Sequence, residues 1–467
     1  VFPLTIQEYF DTLRGKRVAV LGIGVSNTPL IRMLLAAGIS VTGCDVNPRE
    51  KFDGLIEELE SLGMEAKLGP DYMTGLTHDV IFRSPGIRPD VPALKECRER
   101  GGVVTSEMEV FVNLCPCKLI AVTGSDGKTT TTTIISKLLE AAGYTTYVGG
   151  NIGAPLLPLV GQMKEGDMAV LELSSFQLMT MEKSPDIAVI TNLAPNHLNW
   201  HVDMAEYVSS KENIFTHQSA QGRAVFNYDN ELTREELTRA PGHGVYFSRQ
   251  NPLDEGVVLE NGVICVKKDG TTRQVLPVAD IKIPGVHNIE NFQAAIAAVD
   301  GLVPDEVIRT FAKEFGGVEH RIELVREVDG VKYYNDSIAS SPSRTLAGLR
   351  SFHQKVILIA GGHDKKIPYD HMGPELIEHC KLMILTGGDI LGSTVPKLCA
   401  AVVSQPGYEE EMLPILFRDD FKDAVLAAHD MAQPGDVVLM SPASTSFDKF
   451  KNFMDRGNYF KEIVNSL

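Results

Sequence analysis

No stretch of this sequence approaches the roughly 18 uninterrupted apolar residues of a transmembrane helix, so none is expected. Positive charge is in deficit: 44 Lys and Arg stand against 61 Asp and Glu, a net charge of −17. Such a chain repels polyanions. That argues against a general nucleic-acid or membrane-surface binder, but leaves room for a nucleotide in a locally positive pocket. Cysteine is sparse and odd-numbered, seven in 467 residues. Cys115 and Cys117 are close, yet no second pair completes a zinc set, so free buried thiols in a reducing cytoplasm are expected. Repeats at solenoid periods and low-complexity linkers are also missing. The opening stretch VFPLTIQEYFDTLRGKR lacks the charged-then-apolar layout of a secretion signal, which predicts a cytoplasmic location. What remains is 43% hydrophobic residues and a mean hydropathy near zero, the profile of a soluble globular protein. The length predicts two to four domains.

The stretch Leu119 to Ile134, LIAVTGSDGKTTTTTI, organises the chain. It reads as an apolar strand, a Gly-rich turn and a helix. In that arrangement the N–H groups of the turn and of the helix N-terminus converge on an anion. Lys128 adds a positive charge and Thr129 a hydroxyl suited to Mg²⁺. Val122 holds the position of the first glycine in G-x-x-x-x-G-K-[ST], so the pattern present is the shorter T-G-x-x-G-K-T, Thr123 to Thr129. A triphosphate is the expected guest.

Before it, KRVAVLGIG (Lys16–Gly24), a helix from Thr28 to Gly38 and SVTGCD (Ser40–Asp45) read as a βαβ unit. Its turn carries Gly22, Gly24 and Asn27, without the third glycine of the dinucleotide fingerprint. The spacing to Asp45 suits a ribose or base contact, in an NAD-type site or with another phosphate-bearing ligand. Strands near Asp79–Phe82 and Gly102–Thr105 follow, and Arg83-Ser84-Pro85-Gly86 lies just past a strand end. After Lys118, strands are expected at Thr145–Gly149, Met168–Leu173, Ile187–Thr191 and Arg223–Asn227. A hairpin is expected over Val257–Lys268, turning at Asn261-Gly262, and an alanine-rich helix over Asn288–Asp300. The pattern resets near Phe315-Gly316-Gly317. Strands at Ile322–Val328 and Val331–Asn335, joined by Asp329-Gly330, begin a third α/β unit, continued by Val356–Ala360, Met383–Thr386 and Val437–Met440.

Glu172, at the end of an apolar strand, is either a satisfied edge carboxylate or a Mg²⁺ ligand. His197 follows another strand in ITNLAPNHLNWH and is a site candidate for the same reason. Lys211, in SSKENIF, reads from pattern alone as a helix-surface lysine. Further polar clusters follow strands at His320-Arg321, Asn335-Asp336-Ser337, Gly361 to Lys366 and Ser441 to Ser446. Loops at the carboxyl ends of parallel strands converge on one face.

In one order, TGSDGKTT, GGNIG (Gly149–Gly153), ELSSFQL (Glu172–Leu178), NHLNWH, GVHNIEN (Gly285–Asn291), His320-Arg321, NDSIAS (Asn335–Ser340) and SPASTSFDKFKNFMDRG (Ser441–Gly457) resemble the Mur ligase family across essentially the whole chain. The resemblance implies an α/β protein of three domains. These are a Rossmann-like UDP-binding domain over 1–112, a central P-loop ATPase-type parallel sheet over 113–316, and a Rossmann-like amino-acid-binding domain over 317–467. It implies an ATP-dependent amide ligase of peptidoglycan precursor synthesis. The LGIGVS turn, Ser84-Pro85-Gly86-Ile87 and SFDKFKNF are most similar to the members that join D-glutamate to UDP-N-acetylmuramoyl-L-alanine. A monomer acting on these small molecules is implied.

Residue by residue, the resemblance implies that Gly124, Ser125, Asp126, Gly127, Lys128, Thr129, Thr130, Asn288, Asn291, Arg321 and Asp336 bind ATP. Thr129 and Glu172 hold one Mg²⁺, and His197 and Lys211 serve a second, Lys211 after carbamylation by CO₂. Lys128, His197 and Lys211 carry catalysis. Val25, Ser26, Asp45, Ser84, Asn151, Ser174, Gln177 and His197 bind the UDP-substrate, and Ser340, Lys365, Ser446 and Phe453 the D-glutamate. Departures from the family pattern are Asp126 for Asn, Asn199-Trp200 for Asp-Arg, Ile338 for Lys, and His363-Asp364 for Asp-Gly before Lys365.

Overall fold

The computed structural model describes residues 4–195, 200–364, 367–387, 392–446 and 449–467. It is α/β throughout, with three predominantly parallel sheets. The chain divides into two compact units, Val1–Val278 with Glu290–Arg309 and Ala279–Ile289 with Thr310–Leu467.

The first unit holds two sheets. In the first, β1 (Val18–Leu21), β2 (Val41–Asp45), β3 (Glu65–Leu68), β4 (Val80–Arg83) and β5 (Val103–Thr105) run parallel in the order β3-β2-β1-β4-β5. The three central strands are buried along their whole length, and β1, VAVL, accordingly reads as an unbroken apolar run. The strand order reverses beside β1, so the turn after β1 and the segment after β4 flank a crevice.

The second sheet contains β6 (Lys118–Thr123), β7 (Thr146–Gly150), β8 (Met168–Glu172), β9 (Ile187–Ile190), β10 (Arg223–Asn227), β11 (His243–Ser248), β12 (Gly256–Glu260), β13 (Val263–Lys268) and β14 (Thr271–Pro277). Their order is β14-β13-β12-β11-β10-β9-β6-β8-β7, parallel except for the β12-β13-β14 meander. The hairpin turn falls at Asn261 (φ 49°) and Gly262 (φ 75°), the two left-handed residues of a type I′ turn. The chain leaves β6 for β7 on one side and returns through β8 to β9 on the other. Registers Val122↔Glu172 and Thr123↔Ile190 bring these strand ends out at one level. One apolar cluster, from Phe10 through Phe111 and Leu157 to Phe226, runs beneath both sheets.

In the second unit, β15 (Glu323–Val328), β16 (Val331–Asn335), β17 (Val356–Ala360), β18 (Cys380–Thr386), β19 (Ile415–Arg418) and β20 (Val437–Met440) form a sheet of order β15-β16-β20-β17-β18-β19. Only the β15-β16 hairpin is antiparallel, turning at Asp329 and Gly330. Apolar clusters cover both faces.

Glu107 opens the helix Glu107–Leu114 inside the first unit's core. It is 5% exposed, and its Oε1 accepts a hydrogen bond from the N–H of Leu157 at 3.3 Å. Burial outweighs that bond and pushes its pKa up to about 7. A carboxyl raised in the folded state binds its proton more tightly there than in the unfolded chain. Ionising it therefore costs stability as pH rises from the unfolded value near 4.5 through 7, by about 3 kcal/mol in total. Glu107→Gln should accordingly raise the melting temperature more at pH 8 than at pH 5. An equal change at both values would contradict a buried, protonated Glu107.

Candidate active site

The phosphate loop begins where β6 ends. Gly124 (φ 149°) and Gly127 (φ 77°) both occupy backbone that side chains rarely adopt. Space forbids one as well: a Cβ on Gly124 would lie 1.9 Å from Thr191 Oγ1, and on Gly127 2.4 Å from Asn291 Oδ1. The helix Lys128–Ala141 follows directly, with Gly127 as its N-cap. Five consecutive threonines are poor helix formers. Here Thr130, Thr131 and Thr132 are buried, and Ile134, Ile135, Leu138 and Leu139 pack into the core, so tertiary burial outweighs propensity. Thr133 Oγ1 donates back to Thr129 O at 2.8 Å, relieving one hydroxyl locally.

Not every loop N–H is left for an anion, as the pattern alone had suggested. Ser125 N donates to Asn192 O at 2.9 Å and Asp126 N to Asn192 Oδ1 at 2.9 Å, while Thr191 Oγ1 donates to Asp126 O at 2.5 Å. The segment after β9 thus braces the loop from one side. Lys128 Nζ folds over it, donating to Gly124 O at 2.9 Å and Ser125 O at 3.0 Å. Asp126, the acid in a phosphate loop, is exposed. Thr131 Oγ1 donates to Asn291 Oδ1 at 3.2 Å, tying Asn291 to the loop helix.

Glu172 ends β8 and is 2% exposed. Thr129 Oγ1 donates to its Oε2 at 2.7 Å and Asn151 Nδ2 to its Oε1 at 2.8 Å. Thr129, Glu172 and Asn151 are therefore one cluster. A hydroxyl and a buried carboxylate are hard oxygen donors, and they sit beside a loop built for phosphate, so the donor set fits Mg²⁺.

Lys211 overturns its reading as a helix-surface lysine. It is 2% exposed, with Nζ donating to Thr123 Oγ1 at 3.0 Å and Gly124 O at 2.9 Å, and lying 4.9 Å from the centroid of the Tyr207 ring. Burial, reinforced by the Lys128 charge and opposed by Glu172, holds its pKa well below the ordinary lysine value. Mg²⁺ takes oxygen donors rather than an amine, so Lys211 as it stands fits no Mg²⁺ site. A neutral amine can be converted to a carbamate, which does. His197 lies outside the described residues.

Tyr207, Thr191 and Asn192 escaped the sequence reading. Tyr207 OH is 2.9 Å from Ser125 Oγ, which also donates to Ala194 O at 2.9 Å. The hydroxyl of Ser125 therefore holds the loop to the helix that carries Lys211. The signal for Thr191 and Asn192 was present in ITNLAPNH, but nothing in spacing distinguished them from ordinary strand-end polar residues.

Ser174 and Gln177 form a capping box on the helix Ser175–Leu178, just after Glu172. Beside them Arg83, 1% exposed, donates to Phe176 O at 3.2 Å and Thr180 Oγ1 at 2.9 Å, joining the end of β4 to the second sheet. Arg88 is a second tie. It pairs with Glu206 at 2.9 Å, donates to Trp200 O at 2.7 Å, and lies 5.0 Å from the Trp200 ring centroid. Trp200 Nε1 donates to Gly86 O at 3.1 Å. Trp200 is thus held between Arg88 and Gly86. Glu206 also faces buried His201, whose Nε2 lies 2.8 Å from Ser175 Oγ; burial lowers the His201 pKa.

Around the first-sheet crevice, Val25 and Ser26 are exposed after β1 and Ser84 is half-buried after β4. A Cβ on Gly22 would lie 2.8 Å from Ser84 Cβ, so the two segments touch. Asp45 is largely occupied by the protein: Oδ2 accepts from Ile23 N at 2.7 Å, and Oδ1 from Asn47 N and Nδ2 at 2.9 Å. It shapes the glycine turn.

In the second unit, loops after β16, β17 and β20 converge. Asp336 is buried, accepting from Ser441 Oγ at 2.7 Å and Ile322 N at 3.3 Å, and burial pushes its pKa up to about 7 despite Arg321 and Arg344 nearby. Arg456 is 2% exposed and donates to Ser337 Oγ, Ser337 O and Ser444 O. Ser337 Oγ donates to Phe453 O at 2.7 Å, and the Phe453 ring meets His320 edge-on at 5.9 Å. Ser446 is buried and Ser340 half-buried in the same loops. Asn288 is buried, with Nδ2 donating to Pro284 O at 2.5 Å. Lys365 lies outside the described residues.

Two family profiles match the chain: the Mur ligase middle domain over residues 122–299, and the glutamate ligase domain of Mur ligases over residues 320–444. The UDP-N-acetylmuramoylalanine–D-glutamate ligase of Acetivibrio thermocellus is 50% identical over 465 residues, covering 99% of each chain. That of Ruminiclostridium cellulolyticum is 50% identical over 463 residues, again covering 99% of each. Among solved structures, the UDP-N-acetylmuramate–alanine ligase of Thermotoga maritima superposes with a TM-score of 0.54 at 19% identity, covering 97% of this chain and 99% of its own. At that identity the likeness is one of fold.

Proposed function

Because the chain belongs to the Mur ligase family, we propose that it is an ATP-dependent amide ligase joining D-glutamate to UDP-N-acetylmuramoyl-L-alanine, releasing ADP and phosphate, in peptidoglycan precursor synthesis. The cluster at the end of β6 carries the reading: a phosphate loop, a hydroxyl–carboxylate pair and a buried lysine within one set of strand ends. The full-length likeness to D-glutamate ligases selects the amino acid.

A carboxylate is a poor electrophile because its charge repels nucleophiles. The terminal carboxylate of the UDP-substrate takes the γ-phosphoryl of ATP: a new O–P bond forms, the bond to ADP breaks, and an acyl phosphate results. The amine of D-glutamate then attacks the acyl carbon, loses a proton, and phosphate leaves from the tetrahedral intermediate. Both steps gather negative charge, which Lys128 and the N-terminus of the helix Lys128–Ala141 offset electrostatically. Thr129 and Glu172 would hold a Mg²⁺ ion, which supplies further neutralisation of phosphate charge. Lys211, whose neutral amine burial favours, is suited to adding to CO₂ as a carbamate and so, with His197, to serving a second ion.

Val25, Ser26, Asp45 and Ser84 take the uridine diphosphate end, and Asn151, Ser174, Gln177 and His197 the muramoyl-alanine end. Gly124 to Thr130, with Asn288, Asn291, Arg321 and Asp336, are assigned to ATP, and Ser340, Lys365, Ser446 and Phe453 to D-glutamate. These roles rest on the family resemblance, as do the domain limits 1–112, 113–316 and 317–467. The enzyme is taken to be a cytoplasmic monomer. No helix among the described residues is long and apolar enough to cross a membrane.

The decisive experiment supplies ATP, Mg²⁺ and UDP-N-acetylmuramoyl-L-alanine with L-alanine, a diamino acid, L-glutamate or D-glutamate in turn, reading phosphate release and product mass. Release and a heavier UDP-peptide are expected with D-glutamate alone. Turnover with another amino acid, or none with D-glutamate, overturns the assignment.

A further inference from the structure

His201 lies on the segment that leads into the helix Met204–Glu212, and it is 3% exposed. Its two ring nitrogens face different partners. Nδ1 is 3.2 Å from Glu206 Oε2, and Nε2 is 2.8 Å from Ser175 Oγ. Glu206 is gripped by both terminal nitrogens of Arg88, at 3.0 and 2.9 Å, and also accepts from Val202 N at 2.9 Å. A carboxylate so placed stays ionised and can only accept, so Nδ1 carries a proton. In the neutral ring that burial favours, Nε2 is then bare and accepts from the Ser175 hydroxyl. Glu206 thereby fixes the tautomer of His201, and the tautomer fixes the direction of the bond to Ser175.

Ser175 opens a helix of only four residues, Ser175–Leu178. One turn closes too few hydrogen bonds to hold itself in water. Its capping box turns inward: Ser174 N and Oγ both donate to Gln177 Oε1 at 3.0 Å. The turn must therefore be placed from outside. Arg83 holds the carbonyl of Phe176, and Asn213 Nδ2 holds that of Leu178 at 2.9 Å. Those bonds fix backbone in the middle and at the end. The His201 bond fixes the first residue, and the His201 ring also stacks on Phe176, with centroids 5.7 Å apart.

We propose that His201 is a positioning residue for the UDP-linked substrate: oriented by Glu206, it holds Ser175 and so sets the turn from Ser174 to Gln177 against the muramoyl-alanine end. The inference rests on the reading above that gives Ser174 and Gln177 to that end. Breaking the tie lets the turn shift and weakens binding of the UDP-substrate. ATP, assigned to the loop from Gly124 to Thr130, is spared. The His201 ring also meets Tyr207 edge-on at 5.4 Å, and Tyr207 braces Ser125, so emptying the space would disturb the loop as well. The informative variants therefore fill it.

The test measures initial rates of the full chain with ATP, Mg²⁺, D-glutamate and UDP-N-acetylmuramoyl-L-alanine, varying each nucleotide substrate in turn. Ser175→Ala removes one hydroxyl. His201→Asn keeps an amide near the Nδ1 position but does not reach Ser175, whereas His201→Gln does reach it. Ser175→Ala and His201→Asn should each raise KM for the UDP-substrate about fivefold, the worth of one hydrogen bond, and change KM for ATP less than about twofold. The double variant should be no worse than the weaker single, because both break the same tie. His201→Gln should recover part of the loss. An unchanged KM for the UDP-substrate in Ser175→Ala, equal rises for both nucleotides, or additive losses in the double variant would each overturn the role of His201. Should the His201 variants fail to fold, Ser175→Ala decides alone. Absence of wild-type turnover with D-glutamate would instead defeat the proposed function, and this inference with it.

Discussion

Lys128→Ala loses ATP turnover by on the order of 10³-fold or more while the protein stays folded. The estimate follows from what a single preorganised charge contributes when negative charge gathers on transferring phosphoryl oxygens. Lys128 Nζ donates to the loop carbonyls Gly124 O and Ser125 O, and the residue is half-exposed. The loop hydrogen bonds it makes are each worth about 1 kcal/mol net, and the packed face of the helix, Thr130 to Thr132 with Ile134, Ile135, Leu138 and Leu139, does not include it. Activity and stability should therefore separate. Single-turnover ADP formation measures the first and a melting curve the second. Near-normal ADP formation would remove Lys128 from the chemistry. A collapsed melting transition would mean that its role is to hold the loop together.

Much of this arrangement was legible because parallel strands buried on both faces announce themselves as unbroken apolar runs. β1, β6, β8, β9, β17 and β20 emerged within a residue or two of the expected limits. The turn residues at Asn261-Gly262 and Asp329-Gly330 were readable because left-handed backbone restricts residue choice. The strands left unread were β3, β11, β14 and β19. Three of these are sheet edges: β3 and β19 have half-exposed or exposed residues throughout, and β14 is exposed over its first four. With one neighbour and one wet face, such strands keep no apolar signature. At the site, Gly124, Gly127, Lys128 and Thr129 were legible from local spacing, since one turn positions all four. Lys211 was not. Its burial depends on Thr123 and Gly124, more than eighty residues earlier, and no helical period encodes a contact that only the sheet order creates.

Lys211→Ala should be nearly inactive, by about 10²-fold or more, and short-chain carboxylic acids such as formate or acetate should restore part of the activity. Burying an ammonium is costly when its hydrogen-bond partners among the described residues are one hydroxyl and one carbonyl, Thr123 Oγ1 and Gly124 O, beside the Tyr207 ring. Desolvation favours the neutral amine, the neighbouring Lys128 charge reinforces it, and Glu172 opposes it too weakly to win. A chain that needed only a cation here would have paired it with a carboxylate. A neutral amine beside a phosphate loop is instead positioned for conversion into an anion, and a small carboxylate diffusing into the space left by alanine would imitate that anion. Because the shift is downward, the neutral amine is favoured relative to an ordinary lysine, so ¹³C-labelled CO₂ should give a carbamate signal in the wild-type protein that Lys211→Ala lacks. Rescue without that signal would assign Lys211 a purely structural place. Full activity in untreated Lys211→Ala would remove it from the reaction altogether. The carbonyl of Gly124 gives the prediction its second edge: it accepts from Lys128 and Lys211 alike, so losing either lysine should shift the apparent Mg²⁺ requirement as well as the rate.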